Sequence, residues 1–276
     1  MKMAKIFAFL FLLVLFFSPV IWAQSDSGFR GQNMYGSTGL FSIPSGRVGW
    51  GDGNVGLDFG YRAIMNRDAG VTHIPALNLS LFRFMEISAA FDIQPLISKQ
   101  ENSDLLLGVK FGFPVKSTTF AAGANIQLLN LGNDEHNYYA YQPYVAITYA
   151  GSFFTMSAET TLVIGKTFYS HGPENNSSID FGMGFDVILF PDVFGNFVHL
   201  IIDFANFGYS DNSWPNTRLQ HTDAVWRGIL NAGFRIDLSG ISIFNNFKFL
   251  IDLIFNDLFD DGSRSFTAGA VFGFKL

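Results

Sequence analysis

The sequence has no cysteine at any of its 276 positions. An exported chain of this kind has no disulfide framework and no cysteine for lipid attachment, so its fold rests on packing and hydrogen bonding. Charge is scarce as well: Asp, Glu, Lys and Arg make up 14% of the residues, against about 25% in an ordinary soluble domain. The net charge of -6, with no run of Lys or Arg, removes the basic footprint that nucleic acid requires. The five histidines, His73, His136, His171, His199 and His221, are scattered without metal-ligand spacing, and no G-x-S-x-G stretch occurs. No catalytic, cofactor-binding or metal-binding residue is expected, and the chain is read as a non-enzyme. His199 and Asp203 lie four apart on one strand face; they are read as part of a polar network rather than as a charge-supported base.

Residues 51–56 read GDGNVG, a literal match to the dinucleotide fingerprint. That motif works only after a buried strand and at the start of a helix whose amides face a pyrophosphate. Here it is followed by VGLDFGY, which alternates with period 2. Gly51 and Gly53 therefore read as a turn into a strand, and Gly56 and Gly60 as strand positions.

What the chain does have is apolar and aromatic residues: 49% hydrophobic, 33 Phe and 28 Gly. Residues 1–23 carry Lys2 and Lys5, an apolar run from Ile6, then Ser18-Pro19 and Ala23. This is the layout of a cleaved secretory signal peptide, with Pro19 ending the apolar helix; an uncleaved anchor is the alternative. After residue 23 no apolar run is long enough for a membrane-crossing helix. The remaining hydrophobicity arrives as alternation: Val55, Leu57, Phe59 and Tyr61 against Asn54, Gly56, Asp58, Gly60 and Arg62, then again in Leu77, Leu79 and Leu81 and in Ile87, Ala89, Phe91 and Ile93. About twelve such segments of roughly ten residues recur, joined by alternately short and long connections, as in outer-membrane barrels. The expected fold is all-β: a single transmembrane antiparallel up-and-down barrel of about 12 strands, with 10 or 14 as alternatives, over residues 54–276, preceded by the signal peptide (1–23) and a periplasmic lead-in or short plug (24–53). A soluble sandwich also alternates, but its outer faces would carry more charge than the Gly, Ala, Ser and Asn found here. Aromatics near strand ends (Phe82, Phe84, Tyr141, Tyr149, Phe190, Phe194, Trp226) suit interfacial girdles.

If the apolar set faces lipid, the other set faces a lumen. The expected lumen-lining residues are Asp58, Arg62, Glu86, Asp92, Lys110, Glu159, Asp180, Asp186, His199, Asp203, Arg227, Arg235, Lys248 and Asp252, with Asp237 and Lys275 on the same face. Glycines such as Gly108, Gly112, Gly182, Gly184, Gly269 and Gly273 remove side-chain volume from that wall. This favours a narrow pore or ligand pocket over a filled interior.

The segment GSTGLFSIPSGRV, with Gly36, Thr38, Gly39, Leu40, Pro44 and Ser45, resembles the opening of a group of outer-membrane barrels that includes some associated with exopolysaccharide biosynthesis. The final strand, ending Phe272, Phe274 and Leu276, resembles the C-terminal targeting strand of such barrels, although these commonly end in an aromatic residue. The resemblance implies a barrel of this type and carries over no catalytic residue. The expected function is a passive channel or small-solute transporter in the bacterial outer membrane, both termini periplasmic. Its partners are membrane lipid and a small hydrophilic solute, with no cofactor. The alternatives are a structural or adhesive barrel that binds a partner through its outer loops, and a barrel lipase.

Overall fold

The structure, a computed structural model, describes residues 31–50, 55–66, 70–93, 103–131, 138–170, 179–206, 228–239, 246–259 and 264–276. The expected signal peptide, part of the lead-in, Gly51 and Gly53, Trp226 and Arg227 lie outside the described residues.

Among the described residues thirteen strands follow one another: β1 (Val55–Asn66), β2 (Gly70–Leu81), β3 (Met85–Ile93), β4 (Ser103–Val115), β5 (Thr118–Leu131), β6 (Tyr138–Phe153), β7 (Met156–Gly165), β8 (Phe168–Tyr169), β9 (Asp180–Ile188), β10 (Val198–Ala205), β11 (Ile229–Asp237), β12 (Phe247–Asn256) and β13 (Ser265–Lys275). Twelve of them close into an antiparallel barrel: β13 pairs with β1, β5 with β6 and β7 with β9. The two-residue β8 sits outside that count and pairs with β6 through Ala140 and Tyr169. It falls in the connection between β7 and β9. Closure leaves no edge among the twelve barrel strands, so their backbone groups can pair within the wall, as a chain surrounded by lipid requires. Single residues alternate in exposure along the strands, and β2 runs buried and exposed in turn over Val71 to Asn78.

The outward set is apolar and exposed, including Phe59, Leu77, Ile87, Phe120, Val145, Leu162, Phe185, Phe234 and Phe255. An exposed apolar band of this kind is what an outer-membrane barrel turns to lipid. At one end the turns are short. The β2–β3 turn holds Phe82 and Arg83 at φ 52° and 68°, and the β6–β7 turn holds Phe154 at φ 54°. Exposed Phe82, Phe84, Phe153, Phe154, Phe190 and Phe194 crowd that end, the position of an interfacial girdle. β2 begins at Gly70, well before the alternation read from Leu77, and takes Pro75 into the wall opposite Tyr61.

Candidate functional site

The interior of the barrel is occupied by residues 31–50. Nearly all of them are buried, and their β-bridges, Gln32 to Thr38 and Gly39 to Pro44, are internal to the segment. It folds back on itself through Asn33 N–H to Ser37 O (2.7 Å), Met34 N–H to Phe41 O (3.0 Å) and Leu40 N–H to Ile43 O (3.0 Å). Gly36 makes the turn at φ 78°, where a Cβ would lie 2.9 Å from the Ala89 carbonyl of the wall. Only glycine combines that backbone angle with that approach.

Two wall carboxylates hold the segment by its donors. On β3, Glu86 accepts from the Ser37 hydroxyl (2.7 Å), the Thr38 amide (2.7 Å), the Thr38 hydroxyl (2.6 Å) and the Gly49 amide (3.2 Å). Its charge is matched by Lys110 on β4, 3.2 Å away, which also donates to Thr38 O at 2.8 Å. On β10, Asp203 accepts from the Phe41 and Ser42 amides (2.8 and 2.7 Å), the Ser42 hydroxyl (2.9 Å) and Asn231 (2.7 Å). A carboxylate with three or four donors is a buried charge whose lone pairs are satisfied.

A second set of charges ties the wall to itself. His199 bonds Asp186 at 2.7 Å, Arg235 reaches Asp186 at 3.6 Å and grips Asp252 at 2.7 and 3.2 Å, and Arg62 stands 3.7 Å from Asp252. Arg62 also donates to the Gln32 carbonyl of the inserted segment. Near the start of β1, Asp58 accepts from Trp50 Nε1 (2.7 Å) and from Lys248 (2.5 Å), whose ammonium lies 5.1 Å from the indole centroid. Arg47 of the segment pairs with Glu159 on β7 at 2.7 Å.

The wall glycines make these contacts possible. Gly269 stands between Arg62 and Asp252 in the register, and Gly273 between Asp58 and Lys248. A Cβ at Gly269 would come 2.8 Å from the Arg62 side chain, and one at Gly273 would collide with the Asp58 carboxylate. Each pair thus reaches across a strand that presents no side chain. Other glycines are sockets: a Cβ at Gly56 would strike Trp50, at Gly60 Gln32, and at Gly184 Leu40, while at Gly182 it would sit 2.5 Å from Ile43. At these four glycines the freed volume is taken by side chains of residues 31–50, so the space expected for a pore or pocket is occupied there by the chain itself. Twelve strands enclose more than their own side chains can fill, and the inserted segment takes that space.

Apolar packing completes the fit. Met34, Tyr35 and Phe41 cluster with Ile64, Ile74, Leu106 and Ile254 of the wall, while Leu40 and Ile43 cluster with Ala121, Tyr144, Val163 and Ile201. Toward the end with the longer connections the wall turns to amides and hydroxyls. Gln127 donates to the Tyr35 hydroxyl (2.7 Å), Asn125 to Gln142 (3.0 Å), and Gln142 and Thr167 to Asp180 (3.3 and 2.5 Å). Burial first, then the charge of Asp180, pushes the Tyr35 phenol well above its usual ionisation range, so it stays a protonated hydroxyl. Asp92 and Asp104 are buried cross-strand neighbours at the same end.

Of the expected lumen residues, Asp58, Arg62, Glu86, Asp92, Lys110, Glu159, Asp180, Asp186, His199, Asp203, Arg235, Lys248 and Asp252 are all buried. The structure joins Asp58 to Lys248, Glu86 to Lys110, and His199, Asp186, Arg235, Asp252 and Arg62 into one chain. His199 and Asp203, considered together from their spacing, have different partners. Sequence reasoning missed Arg47 and Trp50, which pair with Glu159 and Asp58 of the wall, and the signal for them was their place just before the first strand. Among the described residues no group of three or more His, Asp or Glu could hold a metal ion.

No family model matches the chain, and no curated protein matches it. Among solved structures it is similar to the KdgM porin in complex with disordered oligogalacturonate, with 7% identity over 79% of this chain and 99% of that chain and a TM-score of 0.49. It is similar to the outer membrane protein Omp33 of Acinetobacter baumannii, with 9% identity, 81% and 98% coverage and a TM-score of 0.45. LpxR from Salmonella typhimurium gives 11% identity, 80% and 100% coverage and a TM-score of 0.46.

Proposed function

We propose that the protein is a porin-like outer-membrane barrel closed by its own residues 31–50, which passes small hydrophilic solutes when that segment moves. The short turns and both termini then face the periplasm. The observation that carries this reading is that the segment pairs with itself and meets the wall chiefly through side chains, so it can shift without breaking the strand ladder. The charged wall left behind, with Glu86, Lys110, Asp203 and Arg62, is a selectivity lining for a hydrated solute. The segment's apolar anchors set the frequency of opening. Withdrawing Met34, Tyr35, Leu40, Phe41 and Ile43 from their clusters costs on the order of 10 kcal/mol at about 1.5–3 kcal/mol per side chain, so full openings are rare.

The same anchors favour a second reading, a permanently shut barrel that binds an outside partner through its longer connections. Conductance separates the two. A Cβ at Gly112 would lie 2.9 Å from Cγ2 of Val48, within reach of a disulfide, and the chain has no other thiol. The V48C/G112C variant in planar bilayers is expected to be silent when oxidised and to show rare wild-type-like openings when reduced. Silence in both states and in the wild type would leave only the shut barrel.

A further inference from the structure

On the outward face of the described strands, one ionisable residue other than tyrosine occurs: His73 on β2. An ionisable group facing lipid is costly and calls for a partner. His73 has one on the wall, the Tyr61 hydroxyl, 2.5 Å from Nδ1, with the two rings stacked at 6.0 Å and 29°. The phenol is the stronger donor of the two, so its O–H points at Nδ1 and the imidazole hydrogen sits on Nε2. Among the described residues nothing accepts from Nε2. The outward neighbours of His73 are Ala63 across β1 and Ile93 across β3, and neither offers an acceptor.

The place of this donor suggests its partner. His73 is three residues from Gly70, about 10 Å along the strand from the end of β2, near enough to the end of the outward apolar band for a headgroup oxygen of a lipid lying against the wall to reach it. Beside the pair the wall is shallow. Ala63 faces Ala268 on β13, and Tyr61 faces Ala270, so three outward positions in a patch carry only a methyl group. Ile251 and Leu253 of β12, opposite Ala270 and Ala268, bound it on the far side.

We propose that Tyr61 and His73 form a binding site for a phosphorylated membrane lipid, with Nε2 donating to a headgroup oxygen and an acyl chain lying over Ala63, Ala268 and Ala270. The proposal is independent of whether the lumen opens.

The full-length protein labelled with ¹⁵N-histidine, in maltoside micelles, is titrated with dioctanoylphosphatidylglycerol. The His73 resonances are assigned by their loss in His73→Phe, which matches the apolar character of the surrounding face, and the heat-dependent gel shift confirms that each variant is folded. The His73 Nε2 signal is expected to shift saturably, with about tenfold weaker binding in Tyr61→Phe, the effect of about one lost hydrogen bond. Ala268→Phe, which fills the trough, should also weaken it several-fold. A His73 signal that stays put, one that moves equally with inorganic phosphate, or a titration untouched by Ala268→Phe overturns the proposal.

Discussion

The inner and outer faces of this barrel are made by the same strands and differ at every second residue. Outside, Phe59 is 48% exposed and its neighbours are apolar. Inside, Arg62, three residues along the same strand, is 1% exposed and bonded to both the wall and the inserted segment. An outer face turned to lipid needs no specific partner, because lipid accepts any apolar side chain. The inner face carries charges that water would ordinarily solvate, and each requires a defined partner once residues 31–50 exclude water. Substitutions inside should therefore depend on the partner, and substitutions outside on depth alone.

The sharpest way to break this contrast is Glu86→Ala. It strands Lys110 as a buried charge and removes four acceptor contacts to residues 37, 38 and 49. A loss of about 3–5 kcal/mol is expected in reversible urea unfolding from lipid vesicles; a loss under about 1 kcal/mol would mean that the carboxylate does not hold the segment. Phe59→Lys, near the middle of β1 on the lipid side, should cost about 2–4 kcal/mol in the same assay. That cost should shrink when the Lys is moved to Val55 at the strand end, and an effect without depth dependence would argue against lipid contact at Phe59. The smallest effect comes from Tyr35→Phe, which keeps the packing but leaves the Gln127 amide without the acceptor it now has at 2.7 Å. About 1 kcal/mol is expected, with more frequent single-channel openings if that end of the segment is what moves. A larger loss than Glu86→Ala would reverse the ranking of charge clamp over neutral bond.

Much of the barrel was legible from residue alternation. Val55, Leu57, Phe59 and Tyr61 against Gly56, Asp58, Gly60 and Arg62 define two faces whatever the neighbours are, because successive strand side chains point opposite ways. What was harder to read had local causes as well. Pro75 inside β2 argues against a strand in any sequence-based reading, and two residues, Phe168 and Tyr169, are too few to show a period. The glycines misled for a different reason. A missing side chain reads as space, and only the register shows that Arg62 and Asp252 meet across Gly269, or that Leu40 enters the gap at Gly184.

Sequence alone determined that this is an all-β chain of about twelve alternating strands with an apolar outside and a charged inside, because that pattern is local and one solvent, lipid or water, selects each face. Which charges pair, and that the lumen is filled, were decided by the tertiary structure. Lys248 meets Asp58 and Asp203 meets the Phe41 amide across 190 and 162 residues of sequence. Contacts of that range exist only after closure of the barrel sets β13 between β12 and the start of β1, so that side chains of the two reach each other across it, and encloses a space that residues 31–50 are shaped to occupy.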